Sequence, residues 1–284
     1  MHVIVVTGAT GALGGATVEN LLTRIPASQL GVSVRDVNKA RHFADRGVLV
    51  RQGSYEDPAA LRASFAGAEQ VLLVSGNDPA ADVVALHRNA IDAAVAAGVK
   101  RILYTSQQGA ADGPYPPGRL HAATEAILAD SGIAWTALRC GFFGSLDQLL
   151  GPWQRTGVIA APADGPIPWI ERADIAEAVA VILAGDDAFD GPITLTTPHP
   201  VTLDDLAGFA SQLTGRDITR VVVDDEQWVT EQTANGLPDH LARMTLAMFQ
   251  AVRTGYFAEA DPLLTELLGR EPRHAVDQLA DAIT

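Results

Sequence analysis

The sequence predicts an α/β protein: a doubly wound parallel sheet with a small, mostly helical C-terminal lobe. Three observations predict it. Short β-branched runs alternate with helix-like stretches through the first half of the chain. Those runs are almost continuously apolar, the pattern of strands covered on both faces. A glycine-rich turn joins the first run to the first helix, which is the connection a βα unit needs.

The elements follow in order. Strands are expected at His2–Thr7, Leu30–Arg35, Val48–Arg51, Val71–Ser75, Arg101–Ser106 and Ile133–Arg139. Helices are expected between them at Leu13–Arg24, Asn38–Arg46, Pro58–Phe65, Asp82–Ala97 and Arg119–Asp130. Asp57 before Pro58 is an N-cap followed by proline at the first helical position. Gly98 and Gly132 stand where a helix ends and the backbone turns left-handed. Beyond Gly141 the pattern loosens, and Pro152, Pro162, Pro166 and Pro168 mark residues 151–170 as loop-rich. A helix is expected at Arg172–Leu183 and a strand near 193–196 that adds to the same sheet. A capped helix over Thr202–Thr214 stops at Gly215, and the tail from Asp224 reads as helical. The division expected is a nucleotide-binding core over 1–150 and a substrate-side lobe over 151–284.

Composition limits the function classes. The chain has 284 residues, 48% of them hydrophobic, enough for a large core. Its formal net charge of −14 repels phosphate backbones and anionic lipids, so neither nucleic acid nor a membrane is the expected partner. The first residues lack a basic leader and no apolar run approaches the ~20 residues of a membrane helix, so the cytoplasm is the expected location. One cysteine, Cys140, allows no internal disulfide and reads as a small buried hydrophobe. The pairs Asp186-Asp187, Asp204-Asp205 and Asp224-Asp225 read as helix caps rather than metal ligands, because no histidine has suitable spacing nearby. Only two lysines occur, Lys39 and Lys100.

The strongest signal is Gly8-Ala-Thr-Gly11-Ala-Leu-Gly14. Gly8 permits the tight turn out of the strand, Gly11 lets backbone approach a pyrophosphate, and Gly14 lets the helix pack close. The helix start then offers free N–H groups and partial positive charge to phosphate. This is a Rossmann-type dinucleotide site, and its G-x-x-G-x-x-G spacing points to the short-chain dehydrogenase superfamily. The second strand ends Ser33-Val34-Arg35, with no acidic residue to accept from a ribose 2′-hydroxyl. Arg35, with Lys39 one turn on, suits a 2′-phosphate instead, so NADPH is expected over NADH. Asp36 beside Arg35 is the feature that could neutralise it.

Taken together, TGATGALGG, PASQLGVSVRDVNKA, HRNAIDAAVAAGVKRILYTS, ATEAILADSGIAWTALR and ERADIAEAVAVIL resemble the atypical short-chain dehydrogenases of the NmrA-like type. Within that group they are most similar to type-2 NAD(P)H:quinone oxidoreductases and triphenylmethane reductases. The resemblance runs from residue 1 to about residue 215. It implies hydride transfer from NADPH to quinones or related electron-poor conjugated compounds. It also implies that Gly8, Thr10, Gly11, Ala12, Leu13 and Gly14 form the phosphate loop and that Arg35 and Lys39 hold the 2′-phosphate. Ser75 and Gly76 would pass the adenosine ribose, and Tyr104, Thr105 and Ser106 would lie near the nicotinamide. Ala12, Ser54 and Cys140 depart from the family, which there often has glutamine, an acidic residue and asparagine.

The catalytic reading turns on the lysines. No Tyr-x-x-x-Lys exists, because Arg35 and Ala96 stand four residues before the two lysines. Tyr115 and Arg119 have the spacing, but Pro116-Pro117-Gly118 is expected to forbid the turn that would join them. The resembling quinone oxidoreductases keep a lysine at the equivalent of Ala126. A strongly electrophilic acceptor needs no such pair, since stacking on the nicotinamide supplies most of the advantage. His121 is the candidate proton donor or orienting group, expected at the helix start with Glu125 one turn on to hold its protonated form. The competing reading is a solvated histidine whose cation the helix dipole disfavours. Phe142, Phe143, Trp153 and Trp169 are expected to line an aromatic cleft for a small aromatic or quinone-like substrate, or else to be core. The rival function is a non-catalytic NADP(H)-binding redox sensor, and the chain is expected to be a monomer or homodimer.

Overall fold

The computed structural model describes residues 3–76, 78, 80–111, 113, 115–143, 146–185 and 189–283. His2 and the Asp186-Asp187 pair lie outside the described residues. The chain runs β1 (Ile4–Thr7), α1 (Ala12–Leu21), β2 (Leu30–Val34), α2 (Arg41–Ala44), β3 (Leu49–Gln52), α3 (Pro58–Ser64) and β4 (Gln70–Leu73). It continues α4 (Val83–Ala97), β5 (Arg101–Gln107), α5 (Pro116–Asp130) and β6 (Ala134–Cys140). The second half holds α6 (Leu146–Leu150), α7 (Trp153–Thr156), β7 (Val158–Ala161), α8 (Arg172–Ala184), β8 (Gly191–Leu195), α9 (Leu203–Thr214) and β9 (Thr219–Val222). Four helices close it: α10 (Asp225–Ala234), α11 (Asp239–Arg253), α12 (Leu263–Leu268) and α13 (Ala275–Ile283).

Seven strands form one sheet in the order β3-β2-β1-β4-β5-β6-β8, and all its pairings are parallel. Strand alternation divides the core. Ile4, Val6, Val32 and Leu72 join the buried residues of α8 on one face. Val5, Val71, Leu73 and Tyr104 join those of α3, α4 and α5 on the other. The strand order reverses between β1 and β4, and ligands of open α/β sheets bind in the crevice at such a point.

Local chemistry explains the boundaries. The Asp57 carboxylate accepts from the N–H groups of Ala59 and Ala60, with Pro58 at the first position of α3. Thr202 and Asp205 cap each other reciprocally at α9, and Gly215 closes it with φ of 66°. Two expectations need correction. The Pro116-Pro117-Gly118 run lies inside α5 rather than breaking it, because the first helical N–H groups have no partner to lose. The side chains of Tyr115 and Arg119 still go separate ways: Tyr115 is buried against Tyr256 and Phe257, while exposed Arg119 reaches the Gly113 carbonyl. Residues 151–170 are not all loop, since α7 and β7 lie there and β7 pairs in parallel with β9. A third core joins this pair to the C-terminal helices and buries Trp153, Trp169, Trp228 and Phe249.

Candidate functional site

A cleft of about 660 Å³ opens at the β1/β4 switch point, within the roughly 300–1,000 Å³ of ordinary ligand sites. Gly8 and residues 10–14 line one side of it, Arg35 and Lys39 another, and Ser75 and Gly76 a third. These sequence-predicted dinucleotide residues come together from three separate segments. The turn geometry follows from its glycines. Gly8 has φ of 61°, a left-handed value. A Cβ on Gly14 would lie 2.7 Å from the Gly8 carbonyl carbon, and main chain cannot yield there. No side chain caps α1, whose first turn carries no acidic residue, so its leading N–H groups face the cleft without competition.

The charges are arranged for an anion. Among the described residues, neither Arg35 nor Lys39 has an ion-pair partner, and both are exposed. Asp36 forms no ion pair with Arg35; its carboxylate accepts from the Asn38 N–H and caps the short turn at Val37–Ala40. Arg172, at the start of α8, is a third cation of the cleft, with its guanidinium 5.9 Å from the centre of the Phe143 ring. Tyr55 and Glu56 also line it. Sequence reasoning singled out none of these three. Arg172 had a signal, as the only basic residue opening the α8 motif. Tyr55 had none, since its role comes from folding: its hydroxyl donates to the Val74 carbonyl at 2.7 Å and lies 2.6 Å from the Thr7 hydroxyl.

The segment after β4 is held by side chains rather than by strand partners. The Val74 N–H donates to Thr7 Oγ1, the Ser75 N–H to Thr105 Oγ1, and the Gly76 N–H to His87 Nε2, at 2.9, 2.8 and 2.9 Å. Three successive backbone donors are thus fixed from β1, β5 and α4. Tyr104, Thr105 and Ser106 were expected beside the cofactor. They lie behind the cleft wall instead, at most 4% exposed, because β5 is a central strand buried on both faces. Thr105 reaches the cleft only through Ser75.

His121 also needs correction. It sits in the second turn of α5, half-buried, with its Nδ1 2.7 Å from the Tyr104 hydroxyl. Burial lowers its pKa to about 4, although the nearby Glu125 carboxylate pulls it upward. The ring is therefore neutral near pH 7. Glu125 is committed elsewhere: Arg139 donates to it through Nε at 3.0 Å and Nη2 at 2.6 Å, and the Ser106 hydroxyl donates at 2.6 Å.

The expected aromatic cleft separates into two places. Phe143 lines the groove. Phe142 turns away and meets Trp169 edge-on at 5.0 Å. Trp169 and Trp153 are 2% and 0% exposed and belong to the core of the C-terminal lobe. Burying an indole there removes roughly 150–250 Å² of apolar surface from water, which outweighs presenting it to solvent. Cys140 is buried and its thiol is pushed up to about 12 by desolvation, which leaves it unreactive. No group of three metal-ligating side chains and no helix long and apolar enough to cross a membrane occurs among the described residues.

Comparison with known proteins agrees with this geometry. A family model described as NAD(P)H-binding matches residues 8–186. Quinone oxidoreductase 2 of Escherichia coli is 34% identical, with 99% of this chain and 97% of that protein covered. The crystal structure of that protein with NADPH has a TM-score of 0.93 at 33% identity, covering 99% of this chain and all of the other. Triphenylmethane reductase of Citrobacter sp., solved with NADP(H), gives 0.90 at 32% identity and covers 98% of this chain and 99% of the other. An NmrA-like family domain-containing oxidoreductase of Aspergillus flavus is 30% identical over 96% of this chain and 94% of its own length. With a glycine turn, exposed cations and a switch-point cleft in one place, the chain belongs to the NAD(P)H-binding NmrA-like family.

Proposed function

We propose that this chain is an NADPH-dependent reductase that delivers hydride to quinones or related electron-poor conjugated compounds. The observation that carries the cofactor assignment is the pair Arg35 and Lys39, which face the cleft without a carboxylate partner among the described residues. Arg35 forms charge-assisted bonds to the 2′-phosphate, worth roughly 1.5–3 kcal/mol. The N–H groups opening α1 take the pyrophosphate, and Ser75 and Gly76 pass the sugar. NADPH, when bound, supplies the hydride. Residues 1–150 supply most of the cofactor cleft and residues 151–284 most of the substrate side, with Phe143 and Arg172 between them.

The protein's own part in the reaction is to bind, to exclude water and to hold one proton. No tyrosine–lysine pair is available, because α5 carries exposed Ala126 where the resembling enzymes keep lysine. His121 serves in its neutral form as a hydrogen-bond donor that orients the acceptor. Tyr104 donating to Nδ1 leaves the proton on Nε2, and that N–H faces the acceptor oxygen, while the proton the reduced acceptor takes up comes from solvent. Tyr104 replaces Glu125 as the group that fixes the ring. A weak donor suffices, since the acceptor is already strongly electrophilic.

The missing lysine also favours a second reading, a non-catalytic NADP(H)-binding redox sensor. NADPH oxidation with a panel of quinones and triphenylmethane dyes decides between them. Turnover supports the reductase, whereas clear NADPH binding with no turnover supports the sensor. Full activity in His121→Ala would remove His121 from the reaction.

A further inference from the structure

His87 belongs to the HRNAIDAAVAAGVKRILYTS motif, yet the reaction above does not use it. It is buried at 2% exposure on α4. Its Nε2 accepts from the Gly76 N–H at 2.9 Å, and its Nδ1 lies 2.9 Å from Thr124 Oγ1 on α5. Accepting at Nε2 requires the proton to sit on Nδ1, which then donates to Thr124. The Thr124 hydroxyl in turn donates to the Leu120 carbonyl at 3.0 Å, which leaves its oxygen to accept from His87. The ring also stands edge-on to Tyr104 and Tyr55, with centroids at 5.3 and 6.1 Å, which bars rotation.

We propose that His87 is a positioning residue for NADPH, acting through the Ser75–Gly76 peptide. In a trans peptide the N–H and the preceding carbonyl point in opposite directions. Anchoring the Gly76 N–H on His87 therefore turns the Ser75 carbonyl away from α4. Both residues line the cleft, and that carbonyl is a preset acceptor for a sugar hydroxyl of the dinucleotide. The neighbouring peptides are fixed in the same way, by Thr7 and Tyr55 at Val74 and by Thr105 at Ser75. Gly76 is the last of the series and the one most dependent on a single side chain. Without His87 its peptide is free to rotate, and binding must then order it.

The inference rests on the cleft being the NADPH site. It is tested in the full-length chain by titrating NADPH against His87→Ala and His87→Gln, and by steady-state kinetics with a soluble naphthoquinone. Loss of one preset hydrogen bond raises the NADPH dissociation constant about tenfold in His87→Ala. KM for NADPH rises with it by more than kcat falls. His87→Gln, whose amide can offer an acceptor near the Nε2 position, recovers most of the affinity. Unchanged NADPH binding in His87→Ala would overturn the proposal, as would a folded His87→Gln no better than His87→Ala. If both His87 variants fail to fold, Thr124→Val decides. That variant removes the Nδ1 partner while keeping the shape, and it raises the dissociation constant about threefold, whereas no change would contradict the proposal. A parent chain that bound no NADPH would overturn this inference together with the cleft assignment. Weakened binding in Arg35→Ala alongside normal binding in His87→Ala would overturn this one alone.

Discussion

Arg35 and Arg220 are the same residue type put to opposite uses. Arg35 lies at the cleft, exposed and without an ion-pair partner among the described residues. Arg220, on β9, has a side chain only 3% exposed. It donates to the carbonyls of Ala161, Pro162 and Val221 and pairs with Asp164 at 3.4 Å. Arg139 resembles Arg220, since it is committed to Glu125 through two bonds. A cation already supplied with acceptors holds the fold together. One held at a cleft mouth without acceptors is available to a ligand. The net charge of −14 conceals this distinction, because it counts both kinds alike.

Substitutions separate the two kinds of arginine. Arg220→Ala strands Asp164 and several carbonyls in a buried setting, and should cost about 3–5 kcal/mol of stability by urea unfolding. NADPH affinity in the folded fraction should stay at the parent value; a loss of affinity without a loss of stability would reverse the assignment. Gly14→Ala drives a Cβ into the Gly8 main chain and should cost about 1–3 kcal/mol while abolishing measurable NADPH binding. Normal binding in that variant would show that the turn does not contact the cofactor. Lys39→Ala should weaken NADPH about threefold, consistent with one exposed charge of about 0.5–1 kcal/mol, and leave the melting temperature unchanged.

Acid sharpens the contrast on the other side of the sheet. Burial, aided by the neighbouring His121 charge, lowers the His87 pKa to about 4. His121 is lowered to the same value, with Glu125 opposing the shift. Both rings are neutral in the folded protein, whereas the unfolded chain takes up their protons near pH 6.5. Stability contributed by these groups is therefore complete above about pH 6.5 and is lost as pH falls toward 4. Below that both states are protonated and the loss from these groups stops. Urea midpoints measured between pH 7.5 and 4 should show this slope, and His121→Gln should flatten it.

Much of this arrangement is legible in the residues before any coordinates. The six strands of the first half lie within two residues of their expected positions, because buried parallel strands are marked by apolar runs and bounded by glycine and proline. Asp57, Thr202, Gly98 and Gly215 act as read, since caps are local chemistry. The pairing of β7 with β9 was not legible, because it joins segments some sixty residues apart with no local signature. The tryptophans show the same limit: a large aromatic after a strand suits a cleft or a core equally, and only the third core decides. Glu125 was assigned to His121 by helical spacing, yet Arg139 from β6 reaches it with two bonds. His87 carries no local signal, because its partners, Gly76 and Thr124, come together only in the fold.

The NADPH proposal rests on Arg35, which has no ion-pair partner among the described residues. Measuring the dissociation constants of NADPH and NADH on the parent and on Arg35→Ala tests it most directly. The parent should prefer NADPH by roughly 10- to 100-fold, as one charge-assisted contact of about 1.5–3 kcal/mol requires. Arg35→Ala should lose that preference at an unchanged melting temperature. Equal binding of the two dinucleotides by the parent would refute the role proposed for Arg35.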